Sequence, residues 1–582
     1  MRDKADRLNV DLLVVDTGDL VNGNGLSDTT DVPGRVSGGL FQNLEFDLLT
    51  LGNNDLYSAV GTRDIHSNFS RIYGDRFITS NVYIEIEGKN VTVGQPYRHF
   101  TTKHGLRIMA FGFTLLDFKL NMKKSGTYVR GYAEVIKEQW FQDAMKVEDV
   151  DLYVLLGHAE LREGCVMDGR YAKENPMLCM EAHLRNHGQN IPIQVFGGHT
   201  HERDFKCFDE RSSGLQSGRY SDTVGWLALR GVAPSDTWNG NKALTGVQVP
   251  TRRCPPASSK SAMPVLETTT GHYIDRRYLD FNRRTFVYHA VGTTEPDVPD
   301  GFDTPLGRKV SDDIWKTRRD MNLTTVLGCA PRSSYLWVCP EGSAGNIFTL
   351  AKEALGETVR RGNSPNPRVI IMNGGSFRYD LYKGPFTVGN ALAISPYKNT
   401  FSYIPDVPGN IALSVLDCLL EPTKNIVTTK HTEDIEPLPI ADIQQNSRQQ
   451  VLHARHMSIP QDHREPNPGH VTIDDFGNCT ASPDSDDCGD DTKHEEVKEL
   501  YPNAPYFQYQ DSDITEQTEK VDLVFMGRMQ DLVLQCDAIS KRYSAKDVID
   551  YMGKGFTTRD VLQEFATRKW AAALADQCPI GR

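Results

Sequence analysis

The chain has 582 residues, of which 24% are charged and 39% hydrophobic, and its formal net charge is −13. This length exceeds what one hydrophobic core holds, so we expect two or more domains. The acidic balance argues against a nucleic-acid polymer as partner, and no apolar run approaches the roughly 20 residues of a membrane-spanning helix. Nor does the segment 1–8 contain the apolar core of a signal peptide.

Residues 1–9 have the pattern of the end of an amphipathic helix that leads into a strand at 10–16. A domain built from βαβ units is expected to begin with a strand. We therefore expect the chain to be truncated at its amino terminus, and the alternative is true loss of that strand. Losing an inner strand would expose backbone groups and apolar surface, which favours truncation.

Four buried-strand patterns along the first 200 residues share one feature: each ends in glycine followed by a potential metal ligand. The four blocks are Gly18-Asp19, Gly52-Asn53, Gly157-His158 and Gly198-His199-Thr200-His201. Strands of a layered α/β domain deliver their carboxyl ends to one edge, so we expect these side chains to meet there. In an extended segment His199 and His201 would point to the same side. The alternative is a pair of loop histidines bonded to backbone.

The ordered blocks resemble the calcineurin-like metallophosphoesterases, and within them the two-domain, secreted or vacuolar 5'-nucleotidase family. That family has the pattern D-x-H, G-D, G-N-H-E, G-H and G-H-x-H, of which the chain matches four blocks. No D-x-H precedes Asp19, and Asn54 stands at the position of the family's catalytic histidine. The resemblance implies an α/β fold: a four-layer metallophosphoesterase β-sandwich flanked by helices, and an α/β carboxyl-terminal domain of the 5'-nucleotidase type.

The resemblance also implies two divalent metal ions, of Zn, Mn, Fe or Co. One ion would take Asp19, Asn53, His158 and His199, which is a complete set. For the second ion only Asp19 and His201 are present. An asparagine at position 54 can donate a hydrogen bond but cannot protonate a leaving group, so esters with poor leaving groups would react most slowly.

The second half of the chain has its own landmarks. The resemblance implies that Asn373, Gly375 and Arg378 hold substrate and that Tyr397 stacks on a nucleobase; core packing is the alternative for Tyr397. We place the phosphoesterase domain at 1–290 and a linker with a connecting helix at 291–322. The carboxyl-terminal domain follows at 323–582, with a loop-like or disordered insertion at about 421–520.

Eleven cysteines are many for a reduced cytosolic chain. Three pairs are close in sequence and are predicted as local bridges: Cys165 with Cys179, Cys329 with Cys339, and Cys479 with Cys488. The cysteines and the resemblance favour the secretory pathway, with an extracellular or vacuolar location. Four glycosylation sequons are about as many as chance provides and add little.

We therefore expect a metal-dependent phosphohydrolase that acts on nucleotides or related small phosphoesters. The alternative is a pseudoenzyme or binding protein with an incomplete dinuclear site. The sequence leaves the oligomeric state open.

Overall fold

The computed structural model describes most of the chain. The described residues are 1–115, 126–161, 165, 175–188, 190–201, 203–218, 221, 223–232, 250, 252–254, 265–266, 272–281, 283–291, 302–336, 339–340, 342–362, 364–420, 506–553, 555–573 and 578. Three predicted features lie wholly or partly outside these residues: residues 292–301 of the linker, the Cys479–Cys488 pair, and the insertion from 421 to 505.

The described part of the chain contains both strands and helices. The strands are β1 Val15–Asp16, β2 Leu48–Leu49, β3 Val82–Ile86, β4 Lys89–Thr92, β5 Arg98–Thr101, β6 Arg107–Thr114, β7 Thr127–Val129, β8 Leu152–His158, β9 Ile193–Gly197, β10 Arg203–Asp209, β11 Ser212–Ser217, β12 Thr223–Arg230, β13 Arg252–Arg253, β14 Val265–Leu266, β15 Tyr273–Asp280, β16 Val326–Ala330, β17 Arg368–Asn373, β18 Gly384–Thr387, β19 Phe401–Val407, β20 Tyr506–Gln510, β21 Val521–Met526 and β22 Ile549–Asp550. The α-helices are α1 Arg2–Leu8, α2 Gly25–Asp28, α3 Arg35–Phe41, α4 Ala59–Asp64, α5 Ser70–Tyr73, α6 Tyr132–Val135, α7 Gln139–Ala144, α8 Pro176–His187, α9 Arg283–Val291, α10 Pro305–Asp320, α11 Ile347–Thr358, α12 Val388–Ile394, α13 Gly409–Leu420, α14 Gln530–Gln535, α15 Asp537–Ser540 and α16 Thr558–Lys569. The fold is mixed α/β, as the sequence predicted.

The described residues form two compact units. Unit 1 contains residues 1–20 and 32–311, and unit 2 contains residues 21–31 and 312–582, in both cases within the described ranges. The short segment 21–31 therefore follows Leu20 of unit 1 in sequence but belongs to unit 2. Among the described helices, none is long and apolar enough to cross a bilayer.

Unit 1 is built on a six-stranded sheet with the order β10-β11-β9-β8-β6-β5, in which β6, β8 and β9 run parallel. Strand β8 is buried along its whole length. Its residues alternate between two cores, with Tyr153 and Leu155 on one face and Leu152, Val154 and Leu156 on the other. A strand buried on both faces needs apolar residues at every position, which explains its continuous hydrophobic run.

Among its described residues, unit 1 also has three smaller sheets: β1-β2, which pair parallel, β4-β3-β7, and β12-β15-β13-β14. Strands β1 and β2, which precede Gly18 and Gly52, are shorter than the buried-strand patterns indicated, since only two residues of each strand pair. Two short helices, α6 and α7, lie between β7 and β8.

Unit 2 contains a five-stranded sheet with the order β20-β17-β21-β19-β22 and a two-stranded sheet of β16 and β18. Strands β17 and β21 are parallel neighbours, and both are fully buried. Strand β20 lies inside the segment predicted as loop up to residue 520, so regular structure resumes earlier than the composition indicated.

Four disulfides join described residues: Cys165–Cys179, Cys207–Cys254, Cys329–Cys578 and Cys418–Cys536. The first confirms a predicted bridge. The predicted Cys329–Cys339 bridge is wrong, because Cys329 pairs with Cys578 and Cys339 is a free cysteine. Closeness in sequence misled here, since the fold brings a residue 249 positions away to Cys329.

Candidate active site

The loop after β1 is held against the loop after β2 at a separation that only glycine permits. Strands β1 and β2 pair in parallel, so both loops leave the same edge. A Cβ at Gly18 would lie 2.2 Å from Gly52 N, and a Cβ at Gly52 would lie 2.0 Å from Asp19 Oδ1. Gly18 also has a left-handed backbone, with φ of 92°. The two glycines of the sequence pattern are therefore required by packing around Asp19.

The Asp19 carboxylate is fixed by Asn54. The Asn54 backbone N–H donates to Asp19 Oδ1 at 2.9 Å, and its side-chain Nδ2 donates to Asp19 Oδ2 at 2.6 Å. Asp19 itself has a left-handed backbone, with φ of 67°. Such a conformation in a non-glycine residue costs about 1–3 kcal/mol and persists only where its surroundings impose it. The Asn54 amide thus contacts the predicted metal ligand.

His158 is the last residue of β8 and lies beside the same carboxylate. Its Nδ1 is 3.1 Å from the carbonyl oxygen of Thr17, and its Nε2 is 3.1 Å from Asp19 Oδ2. A carbonyl at one ring nitrogen fixes the ring orientation, so that Nε2 is presented to the site. Burial would lower the pKa of His158, but the Asp19 carboxylate raises it above its usual value. Burial would raise the pKa of Asp19, but His158 and Asn54 hold that pKa low.

Asn53 and His199 form a second pair of potential metal ligands. His199 Nδ1 lies 3.1 Å from Asn53 Oδ1, and Asn53 Nδ2 donates to the hydroxyl of Tyr57 at 3.1 Å. Because the Tyr57 hydroxyl accepts the hydrogen bond from the amide nitrogen of Asn53, the amide oxygen faces His199. The rings of His158 and His199 have centroids 5.1 Å apart, so the two pairs of donors are neighbours.

The backbone around the two carboxyl-proximal histidines differs from the extended segment predicted. Strand β9 ends at Gly197, and the Thr200 N–H donates to the carbonyl of Gly198 at 3.0 Å, which closes a three-residue turn. His199 and His201 both have left-handed backbones, with φ of 78° and 65°. Alternation along a strand therefore does not set their directions. His201 is half-buried and its Nδ1 is shielded from solvent.

Asp55 is a residue that sequence reasoning passed over. Its buried carboxylate accepts hydrogen bonds from the backbone N–H groups of Asp19 at 2.9 Å, Leu20 at 3.0 Å and Gly52 at 2.8 Å. Burial, followed by the charge of Asp19, raises the pKa of Asp55 to about 7. The signal was its place in the block Gly52-Asn53-Asn54-Asp55, where an acid follows the ligand. Asp55 joins the two loops through their backbones.

In unit 2, the four residues predicted to bind substrate form two neighbouring pairs, Asn373 with Gly375 and Arg378 with Tyr397. Asn373 ends β17 and is 1% exposed. A Cβ at Gly375 would lie 2.9 Å from Asn373 Oδ1, so glycine makes room for this amide. The Arg378 guanidinium carbon lies 6.0 Å from the Tyr397 ring centroid, within the range of a cation–π contact. Tyr397 is half-buried.

Arg528, which the sequence analysis also missed, contacts this group. Its Nη2 donates to Asn373 Oδ1 at 3.4 Å across 155 positions of sequence. It follows β21, the parallel neighbour of β17, so both residues lie at the carboxyl edge of one sheet. No local pattern indicated it, because only strand pairing brings it to Asn373.

Two parts of the chain match models of known protein families. Residues 1–203 match the calcineurin-like phosphoesterase family, and residues 333–534 match the carboxyl-terminal domain of NAD nucleotidase. A secreted protein of Arthroderma benhamiae is 36% identical over 99% of this chain and 85% of its own length. The crystal structure of a 5'-nucleotidase from Candida albicans is 30% identical, covers 98% of this chain and 91% of that chain, and has a TM-score of 0.71. The chain belongs to the 5'-nucleotidase family of calcineurin-like phosphoesterases.

Two further similarities bear on the fold. An uncharacterised protein of Schizosaccharomyces pombe is 34% identical over 92% of this chain and 79% of its own length. A 5'-nucleotidase precursor from Thermus thermophilus is 13% identical with a TM-score of 0.51, which concerns the fold alone. The family and its structural neighbours are phosphoester hydrolases, so the chain is an enzyme of this class.

The calcineurin-like family generally uses divalent metal ions, and the donors present suit such an ion. Carboxylate, amide and imidazole groups are ordinary ligands of Zn, Mn, Fe and Co. The Asp19–His158 and Asn53–His199 separations are both 3.1 Å. Adjacent ligands on one ion, with bonds of about 2.0–2.2 Å, lie about 3.0–3.6 Å apart. Within the described part of the chain, no group of three or more His, Cys, Asp or Glu side chains is placed to hold a metal ion. The assignment of ligands therefore rests on the Asp19–His158 pair and on the Asn53–His199 pair, which includes an amide.

Proposed function

We propose that the chain is a metal-dependent phosphohydrolase that acts on nucleotides or related small phosphoesters. The observation that supports the proposal is the proximity of two pairs of potential ligands: Asp19 lies 3.1 Å from His158, Asn53 lies 3.1 Å from His199, and the two histidine rings are 5.1 Å apart. We assign these four residues to one divalent ion, and His201 with Asp19 to the second ion of the family pattern. Divalent ions bound there would activate a water molecule and neutralise phosphoryl charge.

The protein's own contribution is to hold the donors before substrate arrives. Thr17 and Asp19 fix the imidazole of His158, and Asn54 fixes both oxygens of Asp19. Asn54 stands at the position of the family's catalytic histidine, yet an amide has no proton to give. In this proposal Asn54 acts by orienting Asp19, and leaving-group protonation at this position is absent. Phosphoanhydrides and activated esters are therefore favoured over esters of poor leaving groups.

Unit 2 is proposed to recognise the nucleoside part of the substrate. Arg378 and Tyr397 offer a charged group beside an aromatic face, which suits a base or ribose rather than the reacting phosphate. Asn373 supplies an amide at the end of a buried strand, and Gly375 leaves room for it. A small-molecule phosphoester is the proposed partner.

We also propose that the protein acts in the secretory pathway or outside the cell. Four disulfides join described cysteines, and such bonds persist in oxidising compartments. A relative at 36% identity is named a secreted protein.

The test of function is phosphate release from a panel of nucleoside mono-, di- and triphosphates and p-nitrophenyl phosphate, with Zn²⁺, Mn²⁺ or Co²⁺ and after chelation. The proposal expects hydrolysis that requires an added ion, with diphosphates and triphosphates ahead of monophosphates. Absence of phosphate release from every substrate with every ion would contradict the proposal and favour a binding protein.

A second experiment tests the role of unit 2. Arg378→Ala is expected to raise the KM for nucleotides about tenfold or more, because one charge-assisted contact is worth about 1.5–3 kcal/mol. The KM for p-nitrophenyl phosphate, which has no nucleoside, should rise much less. An equal rise for both substrates would show that Arg378 supports the fold instead.

A further inference from the structure

One backbone hydrogen bond joins the two segments of unit 1 that carry His158 and His199. The N–H of Gly198 donates to the carbonyl oxygen of Ala159 at 2.9 Å. Ala159 directly follows His158, and Gly198 directly precedes His199. A Cβ at Gly197 would lie 2.9 Å from the same carbonyl oxygen, so glycine permits this close approach. The position of His199 relative to His158 therefore depends on the backbone that follows His158.

The next two residues of this segment, Glu160 and Leu161, are each held by a contact of their own. Leu161 is fully buried, and its side chain covers two glycines of adjacent strands. A Cβ at Gly197 of β9 would lie 2.9 Å from Leu161 Cδ2, and a Cβ at Gly214 of β11 would lie 2.8 Å from it. The carbonyl oxygen of Glu160 accepts from Asn175 Nδ2 at 2.7 Å. Packing thus holds one of these residues, and a single amide holds its neighbour.

The side chain of Asn175 hydrogen-bonds to backbone groups on both sides, which fixes the orientation of its amide. Asn175 is the N-cap of α8, and its Oδ1 accepts from the N–H of Leu178 at 3.2 Å. A backbone N–H only donates and a carbonyl oxygen only accepts, so a rotated amide would lose both bonds. Because 2% of Asn175 is exposed, little water reaches the amide to replace them. Asn175 therefore links the start of α8 to the carbonyl of Glu160.

Helix α8 is itself fixed in unit 1. Its residue Met177 lies against the end of β8, since a Cβ at Gly157 would lie 2.5 Å from Met177 Sδ. One turn further along, Cys179 forms a disulfide with Cys165. Met177 and Cys179 are both buried. A side chain on a fixed helix positions its partner more precisely than one on a loop does.

We propose that Asn175 is a positioning residue for the metal ligands His158 and His199. Its amide holds the carbonyl of Glu160, and the neighbouring carbonyl of Ala159 holds the turn that contains His199. This inference rests on the proposed function, which assigns both histidines to one ion. It adds a residue that acts on the metal site through the backbone and touches neither the ion nor the substrate.

The test is titration of Co²⁺ into the metal-stripped full chain, followed by calorimetry and by the visible absorption of the bound ion, which depends on ligand geometry. Asn175→Asp keeps the oxygen that caps α8, but places an oxygen with no proton against the carbonyl of Glu160. We expect the Co²⁺ affinity to fall about tenfold, the low end for residues that orient metal ligands. The absorption spectrum of the Co²⁺-saturated variant should also change. Asn175→Ser, which keeps a capping oxygen and has no amide nitrogen, should change both in the same direction.

Asn346→Asp is the matched control, because Asn346 makes the same two kinds of contact at the start of α11 in unit 2. It accepts from the N–H of Phe348 at 2.8 Å and donates to the carbonyl of Cys339 at 2.9 Å. This variant should have a lower melting temperature but the Co²⁺ affinity and spectrum of the unaltered chain.

Three results would overturn the inference and leave the proposed function standing. The first is unchanged Co²⁺ affinity and spectrum in the folded Asn175 variants, and the second is an equal loss of affinity in Asn346→Asp. The third is failure of both Asn175 variants to fold, because Asn175 would then support unit 1 as a whole. Failure of the unaltered chain to bind Co²⁺ would instead contradict the proposed function, and this inference with it.

Discussion

At the scale of the residue, hydrogen bonds from two neighbouring residues hold Asp19 in place. Its backbone is left-handed, its N–H donates to Asp55, and both of its carboxylate oxygens accept from Asn54. Holding a non-glycine residue in this conformation costs free energy, and the buried carboxylate of Asp55 offsets that cost by binding the loop backbone. The strain is stored at the position where a metal ligand is predicted.

The contact between Asn54 and Asp19 can be tested through metal affinity. Asn54→Ala removes the side-chain donor to Asp19 Oδ2, and we expect the affinity for Zn²⁺ or Mn²⁺ to fall about 10- to 100-fold, as for other residues that orient a metal ligand. Calorimetric titration of the metal-stripped protein measures this. Asn68→Ala, at an exposed asparagine of the same unit, is the control. Unchanged affinity in Asn54→Ala would show that the contact does not orient Asp19.

The glycines that separate the two loops give a second residue-scale prediction. Gly52→Ala places a methyl group 2.0 Å from Asp19 Oδ1, so the carboxylate must move. We expect loss of tight divalent-ion binding by calorimetry, with the fold of unit 1 retained. Gly39→Ala is the matched control, because nothing lies within 4 Å of its added Cβ. Full metal affinity in Gly52→Ala would contradict the proposed position of the ion.

At the scale of the element, the strands that precede the potential metal ligands could be predicted because a strand buried on both faces is apolar along its whole length. Strand β8 needs apolar residues on both faces, and its carboxyl end marks the ligand His158. The extended backbone expected for residues 199–201 was wrong, because the chain forms a tight turn at His199. Arg528 could not be predicted, because its contact with Asn373 depends on which strands become neighbours.

The start of β17 contains a buried ion pair that predicts pH-dependent stability. Arg368 is 2% exposed, and its guanidinium donates to both oxygens of Asp511, at 3.0 and 2.8 Å. Burial would raise the pKa of Asp511, but Arg368 holds it below its usual value. A carboxylate with a lowered folded-state pKa stabilises the fold above its unfolded pKa of about 3.9, and the contribution disappears as pH falls through the folded value.

Asp511→Asn should therefore lower the free energy of unfolding by about 3 kcal/mol at pH 7, the low end for a broken buried pair because Asp511 is partly exposed. The difference from the unaltered chain should shrink as pH falls below about 4. Urea unfolding across this pH range measures both values. Asp513→Asn, at an exposed carboxylate, should change little. A difference that does not vary with pH would show that the ionised form of Asp511 is not what stabilises the strand.

At the scale of the whole molecule, the disulfides between cysteines that are far apart in sequence could not be predicted. The Cys329–Cys578 bridge spans 249 positions, and Cys418–Cys536 lies within that span. Local spacing predicted Cys165–Cys179 correctly but paired Cys329 with the wrong partner, because three-dimensional neighbours are set by the fold of unit 2.

The long bridge should contribute substantially to stability. Cys578→Ser is expected to lower the free energy of unfolding by about 3–5 kcal/mol, since a long cross-linked loop restricts the unfolded chain. Cys339→Ser, at the free cysteine, is the matched control and should change it little. Urea unfolding with disulfides intact measures the two variants together. An equal effect of both substitutions would contradict the structural role assigned to the long bridge.

The central claim is that phosphoester hydrolysis depends on an ion held by the four converging donors of unit 1. The most direct test titrates Mn²⁺ or Zn²⁺ into the metal-stripped protein and measures bound ion and phosphate release from a nucleoside diphosphate in the same samples. We predict that phosphate release rises in step with bound ion and is absent without it. We also predict that His199→Ala, which removes one of the four donors, loses both the tight ion and the activity. Hydrolysis that persists in the stripped protein, or that survives in His199→Ala at the level of the unaltered chain, would contradict the claim.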